Sequence, residues 1–196
     1  MIAHARQPPH PPPRPRRPAR RAYTLMEVLA VVTIMGIAGA LVIPAMGETG
    51  VIKVQGAVRQ IVSDMTFAQA DAVALQERRA VVFDLTASSY SLVAVPGTTI
   101  DIANNTLFDP TNRTGRFTVN FVDNQYGNAR ITAADFGAGS TTLIFDALGG
   151  PVASAGSNNP GPGGTVRVRG SGNEFVVTVE AFTGRITVVQ DRTVTP

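Results

Sequence analysis

Four patterns of apolar and polar positions follow one another along the chain. Residues 1–22 show no apolar periodicity and hold seven prolines, which excludes a regular helix and a packed core there. Residues 23–47 are almost continuously apolar, and from Val28 to Gly47 the only polar side-chain group is that of Thr33. Over 48–78 the pattern turns amphipathic: Val51, Val54, Val58, Ile61, Val62, Met65, Ala68, Ala72 and Leu75 recur at spacings of three and four, marking one face of a helix. Gln55, Arg59, Gln60, Ser63, Asp64, Gln69, Asp71 and Gln76 supply the opposite side. From Arg79 to the end, over 79–196, the pattern is that of short strands.

The strands predicted are Arg79–Leu85 and Tyr90–Val95, which form a hairpin, then Arg116–Val122, Thr141–Asp146, Thr165–Arg169, Glu174–Ala181 and Arg185–Gln190. Phe182-Thr-Gly184 joins the last two as a turn. Gly149–Gly164 reads as a loop rich in Gly, Pro, Ser and Asn. One long helix, from about Thr24 to Glu77, followed only by strands predicts an α+β fold with an antiparallel sheet on the helix's apolar face. Pro44, flanked by Gly47 and Gly50, predicts a helix kink.

Charge changes the meaning of the apolar run. The chain of 196 residues has a formal charge of +3, yet residues 1–22 hold six arginines and no acid, leaving 11 basic and 14 acidic residues from Tyr23 onward. Twenty apolar residues as a helix rise about 30 Å, the thickness of a bilayer's hydrocarbon core. The basic leader ahead of them predicts a cytoplasmic N-terminus, a single span and a globular part across the membrane. A buried core helix, or a secretory signal cut after Ala38-Gly39-Ala40, are the other readings of such a run.

Candidate chemistry is sparse. His4 and His10 are the two histidines, both in the leader, and there is no cysteine. Beyond the leader this excludes Ser-His-Asp triads, thiol nucleophiles and His/Cys zinc sites, so no enzyme, cofactor or catalytic residue is expected. Asp101, Asn104, Asn105, Asp109, Asp123, Asn124 and Asn128 are oxygen donors of the kind calcium uses, but they lack the EF-hand spacing and suit turns equally well; no metal is expected.

The run Ala22-Tyr23-Thr24-Leu25-Met26-Glu27-Val28, after a basic leader and before an apolar span, resembles the processing signal of type IV pilin-like proteins. The resemblance implies that a prepilin peptidase cuts after Ala22, a position usually held by Gly, and N-methylates Tyr23. Glu27 then takes the place of the family's acidic residue, meeting the amine of a neighbouring subunit's Tyr23 in a filament. The other reading of Glu27 is local, a carboxylate favoured by the helix N-terminal dipole. Pro44 falls where many members place a kinking proline.

Phe67-Ala-Gln-Ala-Asp-Ala-Val73 with Arg79-Ala-Val-Val-Phe83, Phe145-Asp-Ala-Leu-Gly149 and Gly184-Arg-Ile-Thr-Val188 resemble motifs of the GspH/FimT group of minor pilins and pseudopilins. Gln69 stands where that group usually has Arg, and 96–140 is unplaced. The resemblance implies a minor pseudopilin of a type II secretion pseudopilus, with a periplasmic globular domain. Its expected partners are other major and minor pseudopilins or pilins, the prepilin peptidase, the inner-membrane assembly platform and membrane lipid. The competing expectation is a minor pilin that binds DNA, for which Arg167, Arg169, Arg185 and Arg192 are the candidate phosphate contacts.

Overall fold

In the computed structural model the described residues are 23–122 and 124–191, without the side chains of 40–49 and 124. The long helix α1 runs Leu25–Leu75, and eight strands follow it: β1 Arg78–Asp84, β2 Ser89–Val95, β3 Thr118–Asn120, β4 Arg130–Asp135, β5 Thr142–Phe145, β6 Gly164–Gly170, β7 Asn173–Val179 and β8 Ile186–Asp191. One short helix, α2 Ile102–Asn105, lies between β2 and β3. The chain divides into two compact units, one ending at Ile43 and the other beginning at Pro44. The predicted kink at Pro44, the leader, Ala22 and Arg192 lie outside the described residues or side chains.

In the second unit the apolar stripe of α1 is the centre of the core. Val54, Val58, Ile61, Met65, Ala68 and Ala72 are buried, with Ala57 beside them, while Leu75 is exposed where the helix ends. The end is set by Gln76, whose φ of 53° takes the left-handed conformation, and by the Glu77 amide, which donates to the Ala72 carbonyl at 3.2 Å. That backbone bond closes the last turn although no glycine is present.

Two four-stranded antiparallel sheets pack against this stripe, in the orders β3-β2-β1-β5 and β4-β6-β7-β8. The single sheet expected from the strand pattern is thus two. Their burial explains their sequences. In the first sheet, Val81, Phe83, Tyr90, Leu92, Leu143 and Phe145 face the helix, and Ala80, Val93, Val95 and Ile144 form a second cluster on the far face. Val152 and Ala155, from the segment read as a plain loop, cover that far face. Strands buried on both sides lose the polar alternation. In the second sheet Ile131, Ala134, Val166, Val168, Phe175, Val177 and Val179 point inward, and β6 keeps the alternation of a half-exposed strand.

Strand β4, absent from the expectation, is short, rich in Ala, and carries a bulge between Ile131 and Ala133 that breaks the period of two. The unplaced middle also feeds the core. Phe121 is fully buried, edge-on to Tyr90 at 5.8 Å and to Tyr126 at 4.9 Å between ring centres.

Asp64 departs from its expected place on the polar side of the helix. It is 4% exposed, because it lies beside Ile61, Met65 and Ala68 on the helical wheel. Its carboxylate accepts from the Tyr90 hydroxyl at 2.5 Å and from Gln60 Nε2 at 2.9 and 3.1 Å. No cation pairs with it among the described residues. Burial pushes this carboxyl above its ordinary value, with the Asp109 charge adding to the effect, while the bonds from Tyr90 and Gln60 pull the other way.

The helix is fastened to both sheets near its C-terminal end. Gln69 Nε2 donates to the Gly149 carbonyl at 2.7 Å and to the Thr183 carbonyl at 3.1 Å. Arg79, 2% exposed, places its Nε 2.5 Å from Asp71 of the helix and its Nη1 3.1 Å from Glu77. Gly184 has φ 65°, and a methyl group there would meet Gln69 Nε2 at 2.6 Å and the Gly149 carbonyl oxygen at 2.8 Å. Three separated motifs, at the helix end, after β5 and before β8, thus meet at one clamp.

Two outcomes are expected. The folded state holds the Asp64 proton more tightly than the unfolded chain does. Its contribution is therefore fully present below the unfolded value near 3.8 and is lost as pH rises through the raised folded value. Thermal melts from about pH 4 to pH 7 are expected to show the parent losing stability relative to Asp64→Asn; parallel curves would contradict this. Gly184→Ala is expected to cost about 2 kcal/mol in chemical unfolding, from both the disfavoured backbone and the contact with Gln69 and Gly149. A change within about 0.5 kcal/mol, the range of ordinary surface substitutions, would remove the clamp from the account.

Candidate functional site

The described part of the first unit is a helix with no core of its own. Thr24 caps it: the Glu27 amide donates to Thr24 Oγ1 at 3.2 Å and to the Thr24 carbonyl at 3.0 Å. The spacing Thr24-Leu25-Met26-Glu27 is that of a capping box, with the acid in the first turn where the helix dipole favours it. This signal stood in the sequence and was passed over. Glu27 therefore has a local role as well as the one implied by the resemblance. Its carboxylate has no hydrogen-bond or ion partner among the described residues.

Every large apolar side chain that follows is open to the surroundings. Tyr23, Leu25, Met26, Val28, Leu29, Val31, Val32, Ile34, Met35 and Ile37 are all more than half exposed. An all-round apolar helix requires apolar surroundings from somewhere else. The one hydroxyl in the run is already satisfied, since Thr33 Oγ1 donates to the Leu29 carbonyl at 2.8 Å. Gly36 and Gly39 have open space where a side chain would sit, so packing within the first unit does not explain them. Among the described residues no helix is long and apolar enough to cross a membrane. The predicted run reaches on to Gly47, through side chains that are not described.

Tyr23 and Glu27 line one side of this helix together with Val28, Val31 and Val32. The structure thus places the two sequence-derived assembly residues on a common face, one turn apart. It supplies neither with a partner from elsewhere in the described chain.

Of the arginines read as phosphate contacts, Arg192 lies outside the described residues, and Arg167 and Arg185 have acidic neighbours. Arg167 lies 3.0 Å from Glu174 and 3.6 Å from Asp191, and Arg185 lies 3.4 Å from Glu180. Arg169 faces outward on β6, directly opposite Arg130 of β4. Of the oxygen donors read as a calcium set, Asp123 and the Asn124 side chain lie outside what is described, and Asp101 and Asp109 are used locally. Asp101 accepts from the Asn104 amide at 3.1 Å as the cap of α2, and Asp109 accepts from the amide and hydroxyl of Thr111. Hydrogen bonds to Asn104 lower the Asp101 carboxyl's proton affinity, as such a cap requires. Asn128 has φ 59°, the turn conformation that Asn tolerates. No group of three or more His, Cys, Asp or Glu side chains converges for a metal among the described residues.

No family model and no curated protein matches the chain. In fold it is similar to two solved structures. One is the minor pseudopilin EpsH from the Type 2 Secretion System of Vibrio cholerae, 8% identical, with 70% of this chain and 96% of that one covered at a TM-score of 0.48. The other is the type IV minor pilin FimU of Pseudomonas aeruginosa, 15% identical, with 72% and 95% covered at a TM-score of 0.43.

Proposed function

We propose that the chain is a minor pseudopilin, made as a prepilin and assembled through its N-terminal helix into a type II secretion pseudopilus that supports protein export. The observation that carries this reading is the helix start. A cap at Thr24, with Glu27 in the first turn, opens an apolar surface that no other described residue of the first unit covers. A lipid bilayer first, and the helices of neighbouring subunits later, are surroundings that match such a surface.

In this reading the prepilin peptidase cuts between Ala22 and Tyr23 and N-methylates Tyr23, discarding the six leader arginines once they have set the topology. The helix spans the inner membrane with its N-terminus cytoplasmic, and the two-sheet domain stands in the periplasm. The Glu27 carboxylate meets the Tyr23 amine of the next subunit. A paired charge in hydrocarbon is far less unfavourable than a lone one, so the contact fixes the axial register. Other pseudopilins and the inner-membrane assembly platform are the partners, and no catalytic group is involved. The ion pairs of Arg167 and Arg185 speak for this reading over DNA binding.

Intact-mass and N-terminal analysis of the native protein tests it, with Tyr23 carrying an N-methyl group as the expected first residue. A mature start at Met1, or a cut near Ala40, would refute it. Glu27→Ala is expected to leave cleavage intact while lowering incorporation into filaments by about tenfold, equivalent to roughly 1.4 kcal/mol of lost pairing. Unchanged incorporation would leave Glu27 with its capping role alone.

A further inference from the structure

The two edges of the second sheet carry the same chemistry. Strand β4 reads Arg130-Ile-Thr-Ala-Ala-Asp135, and Arg185 followed by β8 reads Arg-Ile-Thr-Val-Val-Gln-Asp191. Each begins with a guanidinium and ends with a carboxylate. They are the terminal strands of the order β4-β6-β7-β8, so each presents an outer row of backbone donors and acceptors that no described strand pairs. Neither contains lysine or proline, residues with which exposed edges are commonly blunted.

The register fixes which side chains lie on the outer face. Along β8, Thr187, Val189 and Asp191 oppose Thr178, Val176 and Glu174, while Ile186, Val188 and Gln190 oppose the alternate residues Val179, Val177 and Phe175, which face the core. Along β4, Arg130, Ala133 and Asp135 oppose Arg169, Arg167 and Thr165. The bulge between Ile131 and Ala133 brings Arg130 and Asp135 to the same face although five positions separate them.

This leaves an electrostatic demand on one edge and a match on the other. Arg130 faces Arg169 directly across the ladder, an unfavourable like-charge pair, and neither has a hydrogen-bond or ion partner among the described residues. On the far edge, Val189 is 63% exposed and Val188 44%. Asp191 sits 3.6 Å from Arg167 at the rim of the sheet, and the Arg185 side chain is 69% exposed.

We infer that β8 of one copy pairs with β4 of a second copy, edge to edge and head to tail. The strands alternate in direction across four members, so a second copy laid against the edge in the same sense presents β4 antiparallel to β8. In that arrangement Asp191 stands opposite the partner copy's arginine at 130. Val189 stands beside the bulge, and Arg185 lies diagonal to the carboxylate at 135, within reach of a long side chain. Both ends of the contact then join opposite charges, and the exposed valines of β8 are covered. The contact is heterologous, so it has no two-fold axis. It goes beyond the filament reading and stands or falls independently of it.

The absence of native cysteine allows a direct test on the full chain in membrane vesicles, under mild oxidation. Val189→Cys with Ala133→Cys in one chain is expected to give disulfide-linked dimers and higher multiples, and either cysteine alone none. Asp191→Arg or Arg130→Asp is expected to lower the cross-linked yield about tenfold, and the two reversals together to restore it. Asp191→Asn, which adds no charge and leaves the strand intact, is expected to lower the yield less.

Equal far-ultraviolet circular dichroism and melting curves establish that each variant is folded. Dimers from Val189→Cys alone would show a two-fold β8–β8 contact and overturn the proposal. So would a link to a chain of different mass, a yield indifferent to charge reversal, or a ladder abolished by nuclease, which would give the arginine pair to nucleic acid. The N-terminal mass is read from the same samples, which separates failure of this contact from failure of the pseudopilin reading.

Discussion

Everything in the globular part rests on one stripe of side chains. Between Val54 and Ala72 a single helical face is the floor for two sheets at once, and no other described element is long enough to serve both. The small residues on it, Ala57, Ala68 and Ala72, let strands approach closely, while Ile61 and Met65 are among the largest fully buried side chains of the core. Deleting a buried Ile at such a place removes transfer energy and leaves a void beneath both sheets, a loss of about 2–5 kcal/mol. The clamp at Gln69, Gly149 and Gly184 adds direction to this otherwise undirected packing.

The same helix meets opposite demands in its two halves. The described segment before residue 40 is apolar on all sides with its large side chains exposed; the segment after Gly50 buries one apolar side from Val54 to Ala72. The polar groups of the first half are few: Thr24 caps the helix start, Glu27 sits in the first turn, and the Thr33 hydroxyl is spent on the Leu29 carbonyl. Those of the second half make specific contacts, Gln60 and Asp64 with Tyr90 and Gln69 with two carbonyls. One secondary structure therefore serves two kinds of surroundings, and the change is written in side-chain polarity alone.

Much of this was legible in the sequence, and the reasons differ by element. Periodicities of 3.6 and 2 report burial directly, so the stripe on α1 and seven of the eight strands stood out. Strand β4 did not, because its bulge and alanines erase the alternation. The division into two sheets was invisible as well, since partner choice depends on contacts far apart in the chain. Asp64 is buried although polar, because its position between Ile61 and Met65 on the helix, and not its residue type, sets its surroundings. At the candidate site, Tyr23 and Glu27 were visible through a resemblance, whereas the capping box was visible through spacing alone. The acidic neighbours of Arg167 and Arg185 belong to tertiary structure and are not legible from residue type alone.

The order in which the chain visits its sheets has a further effect. After β1, β2 and β3 it crosses to the second sheet for β4, returns to the first for β5, and crosses back for β6, β7 and β8. β5, the second neighbour of β1, cannot be laid down until the chain has already left an edge strand in the other sheet. Neither sheet can be completed, or lost, by itself. The two halves of this interleaved β structure are thereby tied into one cooperative unit, in which fraying is confined to the outer strands and opening of β1 requires disruption of the whole.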